Sequence, residues 1–292
     1  MPQLARTNSV NSAQKASIPL NIPMTFTITS SGLSVGSQYS NMKNLNGILR
    51  VSFTGAYNLT PSVNFTANVM VWGAGGGGGS TYGGGGGCTS AIIKFFAGNS
   101  YNVVVGAGGT SSSSIGGGGG GSGIEYIANS LVLIAAGGGG GGAGTAGGGG
   151  GGHDGQAASP STTNFGRAFA AASPGIIRPT AAPGISGGVG TPAGGGGTGG
   201  SGFGSGGNAN GGGGGGGGLF GGGGGVAPAG GGGGGGFLWF NPANVVTSGF
   251  YSSAVGSTAG NANYGPRLNS GDGGLPFNNG NDGLIIITVL SG

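Results

Sequence analysis

The sequence predicts a mainly β chain, almost free of α-helix, in which an antiparallel β-sandwich carries a large insertion of bundled polyglycine II helices, the left-handed form akin to polyproline II. Three observations lead there. Glycine supplies 86 of the 292 residues, much of it in uninterrupted runs. Apolar segments of period two lead straight into several of those runs, as half-buried strands would. Proline contributes only 13 residues and does not recur at every third position, which excludes a collagen-like chain.

The glycine signal is strongest at Gly211 to Gly236, where eight glycines, Leu219-Phe220, five glycines and Val226-Ala227-Pro228-Ala229 precede a last run that ends at Phe237-Leu238-Trp239-Phe240. Shorter runs occupy 75–79, 83–87, 116–121, 137–142, 147–152 and 194–197. A lone polyglycine segment has much backbone entropy to lose and no side chain to bury, so neighbouring segments must compensate. A helix with three residues per turn makes no internal hydrogen bonds and points each N–H and C=O outward. With glycine throughout, another such helix approaches closely enough to pair with those groups. Runs of five to eight residues then span about 15–25 Å and stack without overhang.

In chain order, residues 1–21 form an extended polar arm, and residues 22–292 form a single domain. Within it, 22–72 supplies N-terminal strands, 73–240 the glycine-rich rods with their loops, and 241–292 further loops and a closing strand. Met24, Phe26 and Ile28 alternate with threonines. Ile48 to Tyr57 repeats the alternation and reads as one strand of the same antiparallel sheet. The segment Asn64 to Trp72 runs into the first rod, and Leu131 to Ala136 into the run that begins at Gly137. Ala91 to Phe96 and Tyr101 to Val105, joined by Gly98-Asn99-Ser100, have the composition of a hairpin. So do Ile124 to Ile127 and Leu131 to Ile134. Residues 153–190 carry Pro160, Pro174, Pro179 and Pro183 without a period and read as loops pinned by Phe165, Phe169, Ile176 and Ile177. The closing strand is Leu284 to Leu290, after the turn-forming Asn281-Asp282-Gly283; its return to the first strands makes the rods one long excursion from a sandwich.

Charge and cysteine narrow the class. Charged residues make up 4% of the chain, with a formal net charge of +4. The eight basic residues are scattered and the glycine runs carry no interleaved arginines, which argues against nucleic-acid binding. So few charges protect poorly against self-association, and assembly into a homo-oligomer is expected. Cys88 is the only cysteine, so no intrachain disulfide forms, and it reads as a small buried hydrophobe. The N-terminus lacks the apolar core of a signal peptide, and no apolar run reaches the length of a spanning helix. Synthesis in the cytoplasm without a membrane span is the expectation.

Val69-Met70-Val71-Trp72-Gly73-Ala74-Gly75-Gly76, the hairpin-like ending Tyr101-Asn102-Val103-Val104-Val105-Gly106-Ala107-Gly108-Gly109, the long glycine runs and the closing Asp282-Gly283-Leu284-Ile285-Ile286-Ile287 together resemble the glycine-rich domain of bacteriophage tail-fibre adhesins, other viral surface proteins and anaplastic-lymphoma-type receptor kinases. The resemblance covers Asn64 to Gly292. It implies a tumour-necrosis-factor-like, jelly-roll sandwich carrying polyglycine II helices, and it suggests a trimer. The signal peptide, disulfides and span of the receptor kinases are missing, which leaves the viral branch as the nearer likeness. In the phage adhesins the loops joining the rods at one end recognise a host receptor. Tyr82, Leu219, Phe220, Phe237, Leu238, Trp239 and Phe240 occupy comparable places here, and Phe250 and Tyr251 follow closely. These aromatics either contact a receptor or another subunit, for which Trp and Tyr are favoured anchors, or cap the open end of the rods.

Enzyme chemistry finds no foothold. The four acids, Glu125, Asp154, Asp272 and Asp282, form no catalytic pair. His153-Asp154 are sequence neighbours without a nucleophile motif. The many G-x-G-x-x-G matches lack the helix a dinucleotide site requires, and one His with one Cys cannot supply a metal shell. No catalytic residue, cofactor or metal is therefore expected. The expected role is a non-enzymatic structural or attachment protein at a virion surface, in contact with its own copies, other virion proteins and a host receptor or glycan. An ice-binding module is the alternative, since flat polyglycine bundles can order water; thermal hysteresis at micromolar protein distinguishes the two.

Overall fold

The computed structural model describes residues 48–126 except Phe53, 131–150 except Ala136, and 212–218, 224–225, 228–234, 237–239, 245–251 and 270–291. The arm 1–21, the strand expected around Met24 to Ile28, the His153-Asp154 pair and the loops over 153–190 lie outside the described residues. What is described is mainly β, with two antiparallel sheets and no helix. Among the described residues no helix is long and apolar enough to cross a membrane.

The first sheet has the order β1 (Ile48–Val51), β10 (Leu284–Ser291), β3 (Phe65–Trp72), β4 (Cys88–Phe95) and β9 (Val245–Tyr251). The second has the order β2 (Gly55–Leu59), β5 (Tyr101–Val105), β6 (Ser122–Tyr126), β7 (Leu131–Ala135) and β8 (Phe237–Trp239). Alternation sets the register, because a slip by one residue would turn each apolar row outward. Phe65, Ala67, Val69 and Val71 of β3 and Ile285 and Ile287 of β10 meet Tyr57, Val103, Val105, Ile124 and Leu133 from the second sheet in one buried cluster. Burying side chains of this size contributes about 1.5–3 kcal/mol each, which glycine cannot supply.

The closing strand takes a central place, paired with β1 on one side and β3 on the other, with Ile286 opposite both Arg50 and Met70. The hairpin expected at Ile124 to Ile134 forms as β6 and β7, with Ile124 opposite Leu133. Two other expectations need correction. Ile48 to Tyr57 is not one strand: β1 and β2 lie in different sheets, and the chain turns between them at Gly55, whose φ of 146° suits no other residue well. Nor do β4 and β5 form a hairpin. Their connection crosses from one sheet to the other, held by the Gly98 amide on the Pro61 carbonyl, the Ala97 amide on Asn64 Oδ1 and the Phe96 amide on Tyr101 Oη. The rings of Phe65, Phe95, Tyr101 and Tyr126 follow one another at 4.7, 4.8 and 4.9 Å and close that end of the core.

At the other end the strands give way to glycine. The runs 73–79, 106–109 and 137–142 follow β3, β5 and β7, while 83–87, 116–121 and 278–283 lead into β4, β6 and β10. The glycine is therefore not one excursion but several, each returned to a strand. These runs are not β-strands, yet backbone hydrogen bonds join them side by side. Gly73, Ala74 and Gly75 donate to Gly87, Gly120 and Asn281; Gly76, Gly77 and Gly78 donate to Gly84, Gly117 and Asn278, the same three neighbours in the same order. The run 137–142 behaves alike: Gly137, Gly138 and Gly139 donate to Gly217, Ala74 and Gly148, and Gly140 and Gly141 return to Gly214 and Gly77. Its carbonyls at Gly137, Gly138 and Gly139 accept from Gly234, Gly119 and Gly84, which belong to three further runs.

Glycine is required here for close approach rather than for unusual torsions. Among the described glycines only Gly55, Gly98 and Gly271 have positive φ. A Cβ on Gly139 would collide with the Gly231 carbonyl, one on Gly138 with that of Gly84 and one on Gly140 with that of Gly116. At these three positions any side chain would part the backbones and break the bonds between them.

Candidate functional site

Where the runs reverse, far from the sheets, the chain makes turns with side chains. Residues 80–82, 110–115, 143–146 and 275–279 form this outer end, and hydrogen bonds join one turn to the next. The Ser80 amide donates to the Ser114 carbonyl, the Gly144 amide to that of Pro228 and the Phe277 amide to that of Gly79. Thr81 Oγ1 lies 2.8 and 2.7 Å from the carbonyls of Gly142 and Thr145, and the Gly230 amide donates to Thr145 Oγ1 at 2.7 Å. Asn279 Oδ1 accepts from the Ser111 amide at 2.7 Å. The outer turns are thus braced against one another by backbone bonds and by the polar side chains of Thr81, Thr145 and Asn279.

Three large apolar side chains stand exposed at this end: Tyr82 at 46%, Leu275 at 55% and Phe277 at 59%. The Gly83 amide donates to the Gly274 carbonyl, which brings the turn that carries Tyr82 beside the turn that carries Leu275 and Phe277. Phe277 is the one non-glycine residue described with positive φ, at 62°. The Asn278 amide donates to the Leu275 carbonyl, closing a four-residue turn with Pro276 second and Phe277 third. That pattern has the form of a type II turn, in which proline favours the second position and the third calls for glycine or asparagine. A bulky residue in the left-handed region costs about 1–2 kcal/mol. In a chain so rich in glycine, Phe277 is thus an exposed aromatic at a position where glycine would fit without that cost.

Beside this turn lies an open depression of about 560 Å³, lined by Gly273, Gly274, Leu275, Phe277, Asn278, Asn279 and Asn281. It offers peptide and amide groups next to an aromatic ring. Among the described residues the cations are Arg50 on β1 and Lys94 on β4, both in the first sheet and neither in the outer turns.

The aromatics singled out in the sequence do not gather at one place. Tyr82 belongs to the outer turns. Phe237, Leu238 and Trp239 form β8, an edge strand of the second sheet paired with β7, and Phe250 and Tyr251 belong to β9, an edge strand of the first sheet paired with β4. Leu219, Phe220 and Phe240 lie outside the described residues, although Gly218 sits beside Gly121, next to the start of β6 and so at the sheet end of the bundle. Leu275 and Phe277 were missed because they stand singly in a Pro-Asn-Gly segment without a glycine run. The signal available was Leu275-Pro276-Phe277-Asn278, a turn with an aromatic where glycine belongs.

Two buried polar groups lie elsewhere. Glu125 on β6 is 2% exposed, and its Oε2 has no hydrogen-bond partner; burial raises its carboxyl pKa above the usual range. The Trp72 Nε1 on β3 is buried without a partner as well. Cys88 is buried with Trp72, Met70, Leu284 and Ile286 in a small second cluster on the opposite face of the first sheet from the main core. Among the described residues no three His, Cys, Asp or Glu side chains come together.

No protein-family model matches the chain, and neither does any curated protein.

Proposed function

We propose that this chain is a non-enzymatic structural and attachment protein of a virus particle: a jelly-roll sandwich that holds a stiff polyglycine II bundle with its outer turns turned toward a host surface. The rotation of hydrogen-bond partners every three residues supports the polyglycine II reading, because a helix with three residues per turn points successive amides at three neighbours in cycle. The two facing sheets with a shared core support the sandwich. The observation that carries the attachment role is the outer end itself. Polar side chains brace its turns while Tyr82, Leu275 and Phe277 stay exposed, one of them at a conformational cost that folding alone does not call for. A self-bonded glycine lattice suits such a role, since it positions short turns without long side chains or disulfides. Homo-oligomers and contacts with other virion proteins belong to the same proposal.

The test is location and competition. Antibody against the folded chain, used on purified particles, should decorate the surface, and an excess of soluble protein should slow adsorption of particles to host cells. A chain found only in the soluble fraction of infected cells, with no effect on adsorption, would remove the attachment role.

A further inference from the structure

The chemistry of the outer depression limits what it can hold. Its wall is the exposed ring of Phe277, fixed by a turn whose Asn278 amide bonds the Leu275 carbonyl and whose Phe277 amide bonds the Gly79 carbonyl. Its polar groups are amides. Asn278 Nδ2 donates to the Pro276 carbonyl at 3.1 Å, which leaves that side chain's Oδ1 as an acceptor. Asn279 Oδ1 is taken by the Ser111 amide, which leaves its Nδ2 as a donor. An acceptor and a donor next to an aromatic face match adjacent hydroxyls and the C–H face of a pyranose ring. The size agrees, because about 560 Å³ falls within the roughly 300–1,000 Å³ of small-molecule sites. Charge narrows the class further: no described cation lies in the outer turns, so an anionic sugar would find no charged partner among them.

On the attachment reading, with which this shares its site, we infer that the depression beside Phe277 binds a neutral saccharide, the ring stacking on Phe277 and the hydroxyls bonding Asn278 and Asn279. A sialylated, sulfated or phosphorylated glycan is disfavoured. Phe277 is the specificity-giving wall, and its unfavourable φ is retained because glycine would leave nothing to stack on.

Saturation-transfer NMR on the full chain tests this with the methyl glycosides of glucose, galactose, mannose and N-acetylglucosamine, and with the methyl glycoside of sialic acid as the anionic probe. At least one neutral glycoside should bind with a millimolar or tighter Kd and the sialoside should not. Phe277→Gly should weaken binding by about tenfold or more while the melting temperature stays level or rises, since glycine suits the turn. Phe277→Tyr should bind as the parent does. No transfer to any neutral glycoside, preference for the sialoside, or full binding by Phe277→Gly would each overturn the inference. If no glycoside binds but particles carrying Phe277→Gly adsorb poorly, the outer end contacts a protein, and the saccharide is wrong while attachment stands. If a neutral glycoside binds but the chain is absent from particles, the attachment reading alone fails.

Discussion

Replacing Gly139 by alanine probes the glycine lattice at its centre, and the structure fixes how much that single methyl should cost. The new Cβ would fall on the carbonyl of Gly231, part of the backbone of a neighbouring run and therefore unable to rotate away. To make room the two runs must separate, and the bonds that join them go first: the Gly231 amide to the Gly140 carbonyl at 2.8 Å and the Gly234 amide to the Gly137 carbonyl at 3.0 Å. Each buried group left without a partner costs about 1–3 kcal/mol, so two broken bonds amount to roughly 2–6 kcal/mol. Against a total stability of about 5–15 kcal/mol, that is enough to bring the chain close to unfolding at ambient temperature. Gly117→Ala is the matched control in the run 116–121. The nearest atom to its Cβ is Thr110 Oγ1 at 3.2 Å, a side-chain atom on an exposed turn that can move aside. Its cost should stay under about 1 kcal/mol. Denaturant unfolding of both variants reads the difference directly. Equal midpoints for Gly139→Ala and Gly117→Ala would refute the claim that backbone contact between runs, rather than glycine content, holds the bundle together.

Three further outcomes follow from other parts of the fold. Truncation after Asp282 removes β10 and leaves β1 without its partner strand, so the shortened chain should show no cooperative thermal transition; a sharp transition would mean that the sheets stand without it. The raised carboxyl pKa of Glu125 makes the protonated form the one the fold prefers: stability from this group is complete below the ordinary glutamate value of 4.5 and is lost as pH rises through the higher folded value. Glu125→Gln should therefore flatten the fall in melting temperature above pH 4.5 and raise the melting temperature at neutral pH, and an unchanged pH profile would place the cause elsewhere. Thr81→Val removes the hydroxyl that reaches the Gly142 and Thr145 carbonyls and should cost about 1 kcal/mol by denaturant unfolding, with Thr81→Ser recovering most of it.

The strands were legible where Val, Ile and Leu cluster between turn residues: β3, β10 and the β6–β7 pair stand where such segments place them, whereas the alternation of Ile48 to Tyr57 concealed the break between β1 and β2. Partner choice was less legible. Ala91 to Phe96 and Tyr101 to Val105 read as a hairpin because four residues separate them and a glycine sits among these, yet the same four residues can cross from one sheet to another when Pro61 and Asn64 capture their amides. Local composition cannot distinguish the two, since the deciding contacts come from a remote loop. Strand β9 escaped because Val245–Tyr251 is interrupted by Gly249 and lies after a long glycine region. For the outer end, glycine runs announced where turns must fall but not which turns meet. Tyr82 was legible as an aromatic between two runs, whereas its proximity to Phe277 depends on Gly83 pairing with Gly274, a bond no local pattern encodes.

The run 137–142 also constrains the order in which the molecule can assemble. Its amides and carbonyls are shared among segments that begin at 73, 83, 116, 147, 212 and 229, so most of its partners are distant in sequence and it can gain little from its immediate neighbours. Loop closure must come before these bonds can form, which makes this a slow, high-contact-order step. The later runs, synthesised last, are needed to finish the surroundings of one made much earlier. Until they arrive, the ribosome-bound chain carries bare peptide groups competent to pair with any other glycine run, including those of a neighbouring nascent chain. Hydrogen exchange would record the finished state as a block: the amides of Gly137 to Gly141 should exchange only when the whole molecule opens, in step with one another and far more slowly than the amides of Ser112 and Ser113 in the exposed outer turn.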